Sequence, residues 1–294
     1  MQKVLLLGAS GFIGSNIAQE LNRRGYDWLG VGRNRTQGDS CIVSLDDEYE
    51  ILSMLEDKPI VINALGGLKP RDYELEFKGA MEEFWRAIQK TLDLLRRRPP
   101  SLLLQISSAG TVYGEAPGRP SEEGDSLSPS SWYGRMKVVE EALYQQYARE
   151  LSVTYICARV TNPFGNESHP THGLVDVLID HVRRDEPFNA CFREGACRDF
   201  IYAPEMAKTL VAMAEQAKPG VFNVGSGESV PLAQLIQVLR EQAPWAKIEA
   251  TPASESDIAV SAVSTRKLVE VYGIDPGGPS AVEYIQNKLS MVAI

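Results

Sequence analysis

Tyr133 and Lys137 stand four residues apart in the run Trp132-Tyr133-Gly134-Arg135-Met136-Lys137. On a helix this spacing puts both side chains on one face. A phenol ordinarily titrates near ~10, too high for a base at neutral pH. A neighbouring ammonium stabilises the phenolate and lowers that value. Such a tyrosine can take a proton from an alcohol as hydride leaves the carbon, or return it in reverse. Tyr-x-x-x-Lys also arises as a surface pair on an amphipathic helix, so its weight depends on the rest of the chain.

A second chemistry-bearing stretch lies near the start. Lys3 to Leu7 is an apolar run of strand length, followed at once by Gly8-Ala9-Ser10-Gly11-Phe12-Ile13-Gly14. Ser15 to Arg24 then reads as a helix, with Ile13, Ile17, Ala18 and Leu21 on one face. Strand, glycine turn and helix form a dinucleotide-binding opening, here spaced Gly-x-x-Gly-x-x-Gly. Gly8 allows a tight turn, Gly11 lets backbone approach a pyrophosphate, and Gly14 lets helix pack on strand. The first helical amides, Phe12 and Ile13 among them, meet the phosphates with the help of the helix dipole.

The remaining elements must position these groups. Gly25 stops the first helix, and Trp28 to Gly32 is the second strand. The residue after this strand meets the adenosine ribose: an acid there suits NAD, an arginine the extra phosphate of NADP. The chain reads Gly32-Arg33-Asn34-Arg35, with no acid, which favours NADP over NAD through Arg33. Arg33 stacked on adenine or facing solvent is the other reading. Ile42-Val43 is a third strand, Asp47 to Glu56 a helix, and Ile60 to Asn63 a fourth strand. Ala64-Leu65-Gly66-Gly67 follows, small enough for backbone to approach a ligand at Ala64 and Leu65. One long helix is predicted over Tyr73 to Arg97, with Phe77, Met81, Phe84, Ile88, Leu92 and Leu95 on its apolar face. That face packs on the sheet or forms part of a subunit interface. Leu102 to Ile106 is the fifth strand. Alternating strands and helices imply an α/β fold, a Rossmann-type doubly wound parallel sheet, with ligands at the carboxyl ends of its strands.

Composition narrows the partners. The net charge of -9 argues against nucleic acid. Arg96-Arg97-Arg98 reads as a solvated helix C-terminus, where cations suit the dipole. No apolar run approaches the ~18 residues of a membrane span, and no signal peptide is expected. The four cysteines, Cys41, Cys157, Cys191 and Cys197, lack metal-type spacing and suit reduced thiols in a cytoplasmic protein. His169, His172 and His181 have no completing acid at ligand spacing, so no metal is expected.

The combination resembles the extended short-chain dehydrogenase/reductases, and within them the NAD(P)-dependent nucleotide-sugar epimerase/dehydratase family. Beside the glycine turn and Tyr133-x-x-x-Lys137, the resemblance rests on Ser107-Ser108-Ala109-Gly110-Thr111-Val112-Tyr113-Gly114. It rests further on Arg159-Val160-Thr161-Asn162-Pro163-Phe164-Gly165, on Arg198-Asp199-Phe200-Ile201-Tyr202 and on Phe222-Asn223-Val224-Gly225-Ser226-Gly227. It implies Tyr133 as acid/base, Lys137 as its electrostatic partner and ribose ligand, and Asn162 and Arg198 as substrate contacts, Arg198 toward a diphosphate. Ser107 and Ser108 would lie beside the nicotinamide and the reacting hydroxyl. The family's catalytic Ser or Thr falls on Ala109 here, so Ser108 or Thr111 supplies the hydroxyl, with Ser108 preferred. The family's 4,6-dehydratases carry an Asp-Glu pair where this chain has Gly110 and Thr111, which disfavours that activity.

The resemblance therefore implies epimerisation of a nucleotide-activated sugar through a transient keto intermediate, or alternatively NADPH-dependent reduction of a 4-keto nucleotide sugar. A non-catalytic dinucleotide sensor is disfavoured by Tyr133, Lys137 and Arg198 together. Expected domains are a dinucleotide-binding region over 1–165 and a smaller, mixed substrate-binding region over 166–294, with about 199–224 returning to the first. Helices are expected at Leu174 to Arg184, Glu205 to Gln216 and Leu232 to Gln242, and one opening at Ser264 as N-cap. A homodimer through the helices Tyr73–Arg97 and Trp132–Glu150 is expected.

Overall fold

The computed structural model describes residues 2–32, 42–166, 169, 172–253 and 257–290. Arg33, with Asn34, Arg35 and Cys41, lies outside the described residues.

The first half alternates strongly. In order come β1 (Val4–Leu7), α1 (Phe12–Arg24), β2 (Trp28–Gly32), β3 (Ile42–Ser44), α2 (Glu48–Glu56), β4 (Ile60–Asn63), α3 (Pro70–Leu75), α4 (Phe77–Arg97) and β5 (Leu102–Ser108). A short α5 (Ala109–Val112) precedes α6 (Trp132–Leu151), β6 (Thr154–Val160) and β7 (Asn162–Phe164). Then follow α7 (Leu174–Arg183), β8 (Phe188–Phe192), β9 (Cys197–Arg198), β10 (Phe200–Tyr202), α8 (Ala203–Gln216) and β11 (Gly220–Val224). The chain closes with β12 (Val230–Pro231), α9 (Leu232–Gln242), β13 (Ile248–Pro252), β14 (Val260–Ser261), α10 (Arg266–Tyr272) and α11 (Ala281–Ser290).

A seven-stranded sheet runs β3-β2-β1-β4-β5-β6-β11, with parallel pairing at every step from β3 to β5. From β1 the order proceeds outward through β2 and β3; β4 returns to the other side of β1. This is a Rossmann-type sheet with its topological switch between β1 and β4, where such folds bind ligands. The central strands are buried along their whole length, as both faces of a parallel sheet require.

Two compact units interleave along the chain. One contains Met1–Ser108, Ser131–Arg159 and Ala207–Phe222; the other contains Ala109–Ser130, Val160–Met206 and Asn223–Ile294. In the first unit Leu5, Leu7, Val31, Val61 and Leu103 of the sheet pack with Ile51, Leu55, Leu94, Tyr144 and Tyr147 of the helices. In the second, Val175, Leu178, Leu235, Leu239 and Ile285 unite α7, α9 and α11. Removing any of these large buried side chains costs about 2–5 kcal/mol.

The single helix expected over Tyr73 to Arg97 is two helices. Glu76 leaves helical geometry (φ -146°, ψ 76°), and its carboxylate accepts the Gly79 N–H at 2.6 Å. A side-chain acceptor of this kind starts a new helix in the middle of an apolar period. Of the expected apolar face, Phe84, Ile88 and Leu95 are buried, whereas Phe77 is 43% exposed. Phe84 and Ile88 pack with Tyr73 of α3 and Met136 of α6. At the C-terminal end of α4, the three arginines pair with Glu150, Glu48 and Glu56 rather than facing solvent alone. The last fold difference is at α10, whose N-cap is Thr265, with Ser264 Oγ accepting the Arg266 N–H at 3.4 Å.

Candidate active site

The glycine turn leaves β1 at the switch point and meets the loop after β4. Gly8 has φ +80°, and a Cβ there would lie 2.4 Å from the Ala64 carbonyl oxygen. A Cβ on Gly14 would lie 2.0 Å from the Gly8 carbonyl oxygen. Both positions exclude any side chain. Gly11 differs: it is exposed, and among the described residues its virtual Cβ has one neighbour, the Gly8 oxygen at 3.3 Å. Gly11 is also the N-cap of α1, which has no side-chain cap and no acid in its first turn. Side-chain-free backbone, a dipole of the right sign and no competing carboxylate fit a pyrophosphate. At the end of β2, a Cβ on Gly32 would come within 2.7 Å of Ser10 Oγ, which brings this strand end against the same turn. Gly8, Gly11, Gly14 and Ala64 are thus brought together, with Phe12 and Ile13 opening α1 beside them.

Ser131 Oγ accepts the Gly134 N–H at 3.1 Å and starts α6, which carries Tyr133 and Lys137. Tyr133 is half-buried and packs against the cluster of Tyr73, Phe84 and Met136. Lys137 is 9% exposed. Its Nζ donates to Glu140 Oε2 at 2.8 Å. A Cβ on Gly66 would lie 3.6 Å from that nitrogen, so the loop after β4 runs beside the lysine. Burial alone would depress the Lys137 pKa, but the Glu140 carboxylate, with smaller help from Tyr133 and Tyr73, raises it instead. The ammonium is therefore held charged. Tyr73, buried on α3, has its phenol pushed up to about 12 by burial, against the lowering pull of Lys137.

Glu140 belongs to a chain of buried polar groups that reaches the sheet. The Leu65 N–H donates to Asn63 Oδ1 (3.1 Å), Asn63 Nδ2 to Gln105 Oε1 (2.7 Å), and Gln105 Nε2 to Glu140 Oε1 (2.9 Å). Asn63 and Gln105 are direct partners in the β4–β5 register and are fully buried. Glu141, next along α6, receives Arg159 and the Ser107 hydroxyl. The Ser107 hydroxyl is thus engaged by the carboxylate of the Arg159–Glu141 pair. Ser108 ends β5 and is half-buried. Glu140 and Glu141 were not singled out in the sequence, although they lie three and four residues beyond Lys137, the spacing that places them on its face.

Substrate candidates of the second unit gather around Asp199. This carboxylate accepts the Ser226 N–H (2.9 Å), Ser226 Oγ (3.0 Å), the Gly227 N–H (2.9 Å) and Thr161 Oγ1 (3.1 Å). Burial raises its pKa, and these donors oppose the rise. Asn162 Nδ2 donates to the Asp199 carbonyl at 2.8 Å, and its Oδ1 lies 3.4 Å from a virtual Cβ on Gly110. Arg198 Nη1 donates to the Cys197 and Ala259 carbonyls (2.9 and 2.8 Å), and Nη2 to Ile258 (2.7 Å). This guanidinium holds the β14 approach to β9, and an incoming diphosphate would have to compete with those carbonyls. Ala109, at the family's Ser/Thr position, is buried at the start of α5. Among the described residues no group of three or more His, Cys, Asp or Glu could hold a metal ion.

Comparison with known proteins places the chain in a family. A protein of Methanocaldococcus jannaschii, provisionally named a UDP-glucose 4-epimerase, is 25% identical over 260 residues, covering 81% of this chain and 82% of its own. The dTDP-4-dehydro-6-deoxyglucose reductase of Escherichia coli is 32% identical over 140 residues, 47% of this chain and 44% of its own. The crystal structure of a Thermotoga maritima UDP-glucose 4-epimerase with UDP-glucose superposes with a TM-score of 0.85 at 22% identity, over 99% of this chain and 98% of that one. The sequence pattern of the NAD dependent epimerase/dehydratase family matches residues 4–225, and the chain belongs to that family.

Proposed function

We propose that this protein epimerises a nucleotide-activated sugar, with Tyr133 as the acid/base. The supporting observation is the shared face of Tyr133 and Lys137 on α6, with Lys137 Nζ beside Gly66 of the loop after β4. When bound, the nicotinamide accepts and returns the hydride. Tyr133 removes the proton from the sugar hydroxyl and gives it back after the keto-sugar has turned over. Lys137 stabilises the phenolate and reaches the nicotinamide ribose. The turn Gly8 to Gly14 holds the pyrophosphate, Ala64 and Leu65 flank the dinucleotide, and Ser108 hydrogen-bonds the reacting hydroxyl. Asn162 and Arg198 contact the substrate. Dehydration is disfavoured, because Gly110 and Thr111 carry no acid to protonate a leaving hydroxyl.

A second reading is reduction of a 4-keto nucleotide sugar with NADPH. Gly32-Arg33-Asn34-Arg35, which lacks the acid suited to a free ribose hydroxyl, favours it. So does the similarity to the Escherichia coli reductase. Denaturing freshly purified protein and identifying the released nucleotide separates the two. Tightly held NAD supports the epimerase. An empty site with preference for NADPH over NADH supports the reductase, and binding of neither overturns both.

We further infer a homodimer, because Phe77 and Trp85 expose large aromatic surface along α4 (43% and 39%). Sedimentation as a monomer at working concentrations would refute it. No helix among the described residues is long and apolar enough to cross a membrane. A cytoplasmic setting is proposed from the four cysteines, whose spacing suits reduced thiols.

A further inference from the structure

We propose that Glu140 is a positioning residue that acts through Lys137, locking the ammonium beside Tyr133 and setting the proton affinity of the Tyr133 phenol by offsetting part of its charge. This inference rests on the assignment of Tyr133 and Lys137 as the acid/base pair.

Three observations carry it. Glu140 is 6% exposed, and its two carboxylate oxygens are engaged separately, Oε2 by Lys137 and Oε1 by Gln105. Gln105 is itself held by Asn63, and Asn63 by the Leu65 backbone, so the carboxylate has a rigid support in the sheet. Such fully satisfied buried networks specify one arrangement of their members. The support also ends in the loop after β4, which passes beside Lys137 at Gly66, so the network reaches both sides of the lysine.

The chemical consequence follows from charge. A bare ammonium beside a phenol lowers the phenol pKa, whereas an ammonium paired at 2.8 Å with a carboxylate presents a weaker net field. Among the described residues, the other titratable groups coupled to this site are Tyr73 on α3, Glu83 on α4, whose charge reaches Tyr73, and Tyr144 on α6, whose charge coupling is to Glu140. Among them Glu140 alone contacts Lys137 through a carboxylate. Glu140 thus keeps Lys137 charged and in place on the helix face it shares with Tyr133.

The test is a pH titration of phenolate absorbance on the cofactor-free full chain, with the Tyr133→Phe spectrum subtracted to isolate Tyr133. Glu140→Gln removes the charge and keeps one acceptor oxygen, enough for Lys137 or Gln105 but not for both. The Tyr133 midpoint is expected to move about one pH unit toward acid. Lys137→Met is expected to move it toward base. Glu140→Asp, with the charge retracted by one methylene, is expected to give a smaller acid shift and serves if the Gln variant does not fold by circular dichroism. A midpoint that responds to Lys137→Met but not to either Glu140 variant overturns the proposal and leaves the acid/base pair intact. A midpoint that ignores Lys137→Met as well overturns the acid/base assignment itself.

Discussion

Arg159 grips Glu141 with two parallel hydrogen bonds, Nε to Oε1 at 3.1 Å and Nη2 to Oε2 at 2.8 Å, in a position where both side chains are buried. Arg159 ends the run of β6 in the first unit, and Glu141 lies next to Glu140 on the helix of Tyr133. The pair therefore ties the working helix to the sheet. Breaking one partner of a buried pair leaves an uncompensated charge. Glu141→Ala is expected to destabilise the protein by about 3–5 kcal/mol. Denaturant unfolding checks this, and a loss under ~1 kcal/mol, the range of an exposed pair, would contradict it.

The glycines of the turn separate folding from binding. Gly14→Ala forces a Cβ to 2.0 Å from the Gly8 oxygen, so backbone must move and melting temperature should fall. At Gly11 an added Cβ meets, among the described residues, the Gly8 oxygen at 3.3 Å, so Gly11→Ala should disturb folding far less than Gly14→Ala. Its methyl would instead stand where phosphate approaches backbone. We expect its affinity for NADH and NADPH to drop at least about tenfold, the loss of about 1.4 kcal/mol, with little change in melting temperature. Fluorescence titration beside thermal unfolding distinguishes the two variants.

Asp176 makes stability depend on pH with a definite sign. Burial pushes its carboxyl up to about 6, while the Gly165 and Asn166 N–H groups, Tyr284 and Lys288 oppose the rise. Between the ordinary carboxylate range and that value, the folded chain binds more protons than the unfolded one. This contribution to stability is full below about pH 4 and is lost as pH rises through about 6. At neutral pH the penalty is of order 3 kcal/mol. Asp176→Asn keeps an acceptor for the Gly165 N–H without the titration. Its melting temperature relative to the parent should therefore increase from pH 4 to 7, and a constant difference would contradict the assignment.

Tyr133→Phe removes one hydroxyl from a half-buried ring and should leave folding and dinucleotide affinity nearly intact. Turnover of a nucleotide sugar should fall by about 10²–10⁴, the usual contribution of a positioned acid/base. Unchanged turnover would remove Tyr133 from the mechanism.

Much of this was legible in order along the chain, because local patterns have local causes. Apolar runs ending in glycine marked β1 and β2, and Gly25, in the left-handed conformation at φ +72°, ends α1 as a helix-stop glycine should. The i, i+4 spacing already placed Tyr133 and Lys137 on one face. The break at Glu76 was hidden, since the apolar period runs on through it and only the carboxylate's bond to Gly79 interrupts the helix. What tertiary structure alone decided is which groups hold the chemistry in place. Asn63 meets Gln105, 42 residues away, because the parallel register of β4 and β5 aligns them. Arg198 spends its donors on carbonyls about 60 residues downstream, a partnership that no local spacing announces. Sequence determined the kinds of group at the strand ends, through periodicity and turn chemistry. Their partners, and with them the charge around Tyr133, depend on long-range pairing that only the folded sheet imposes.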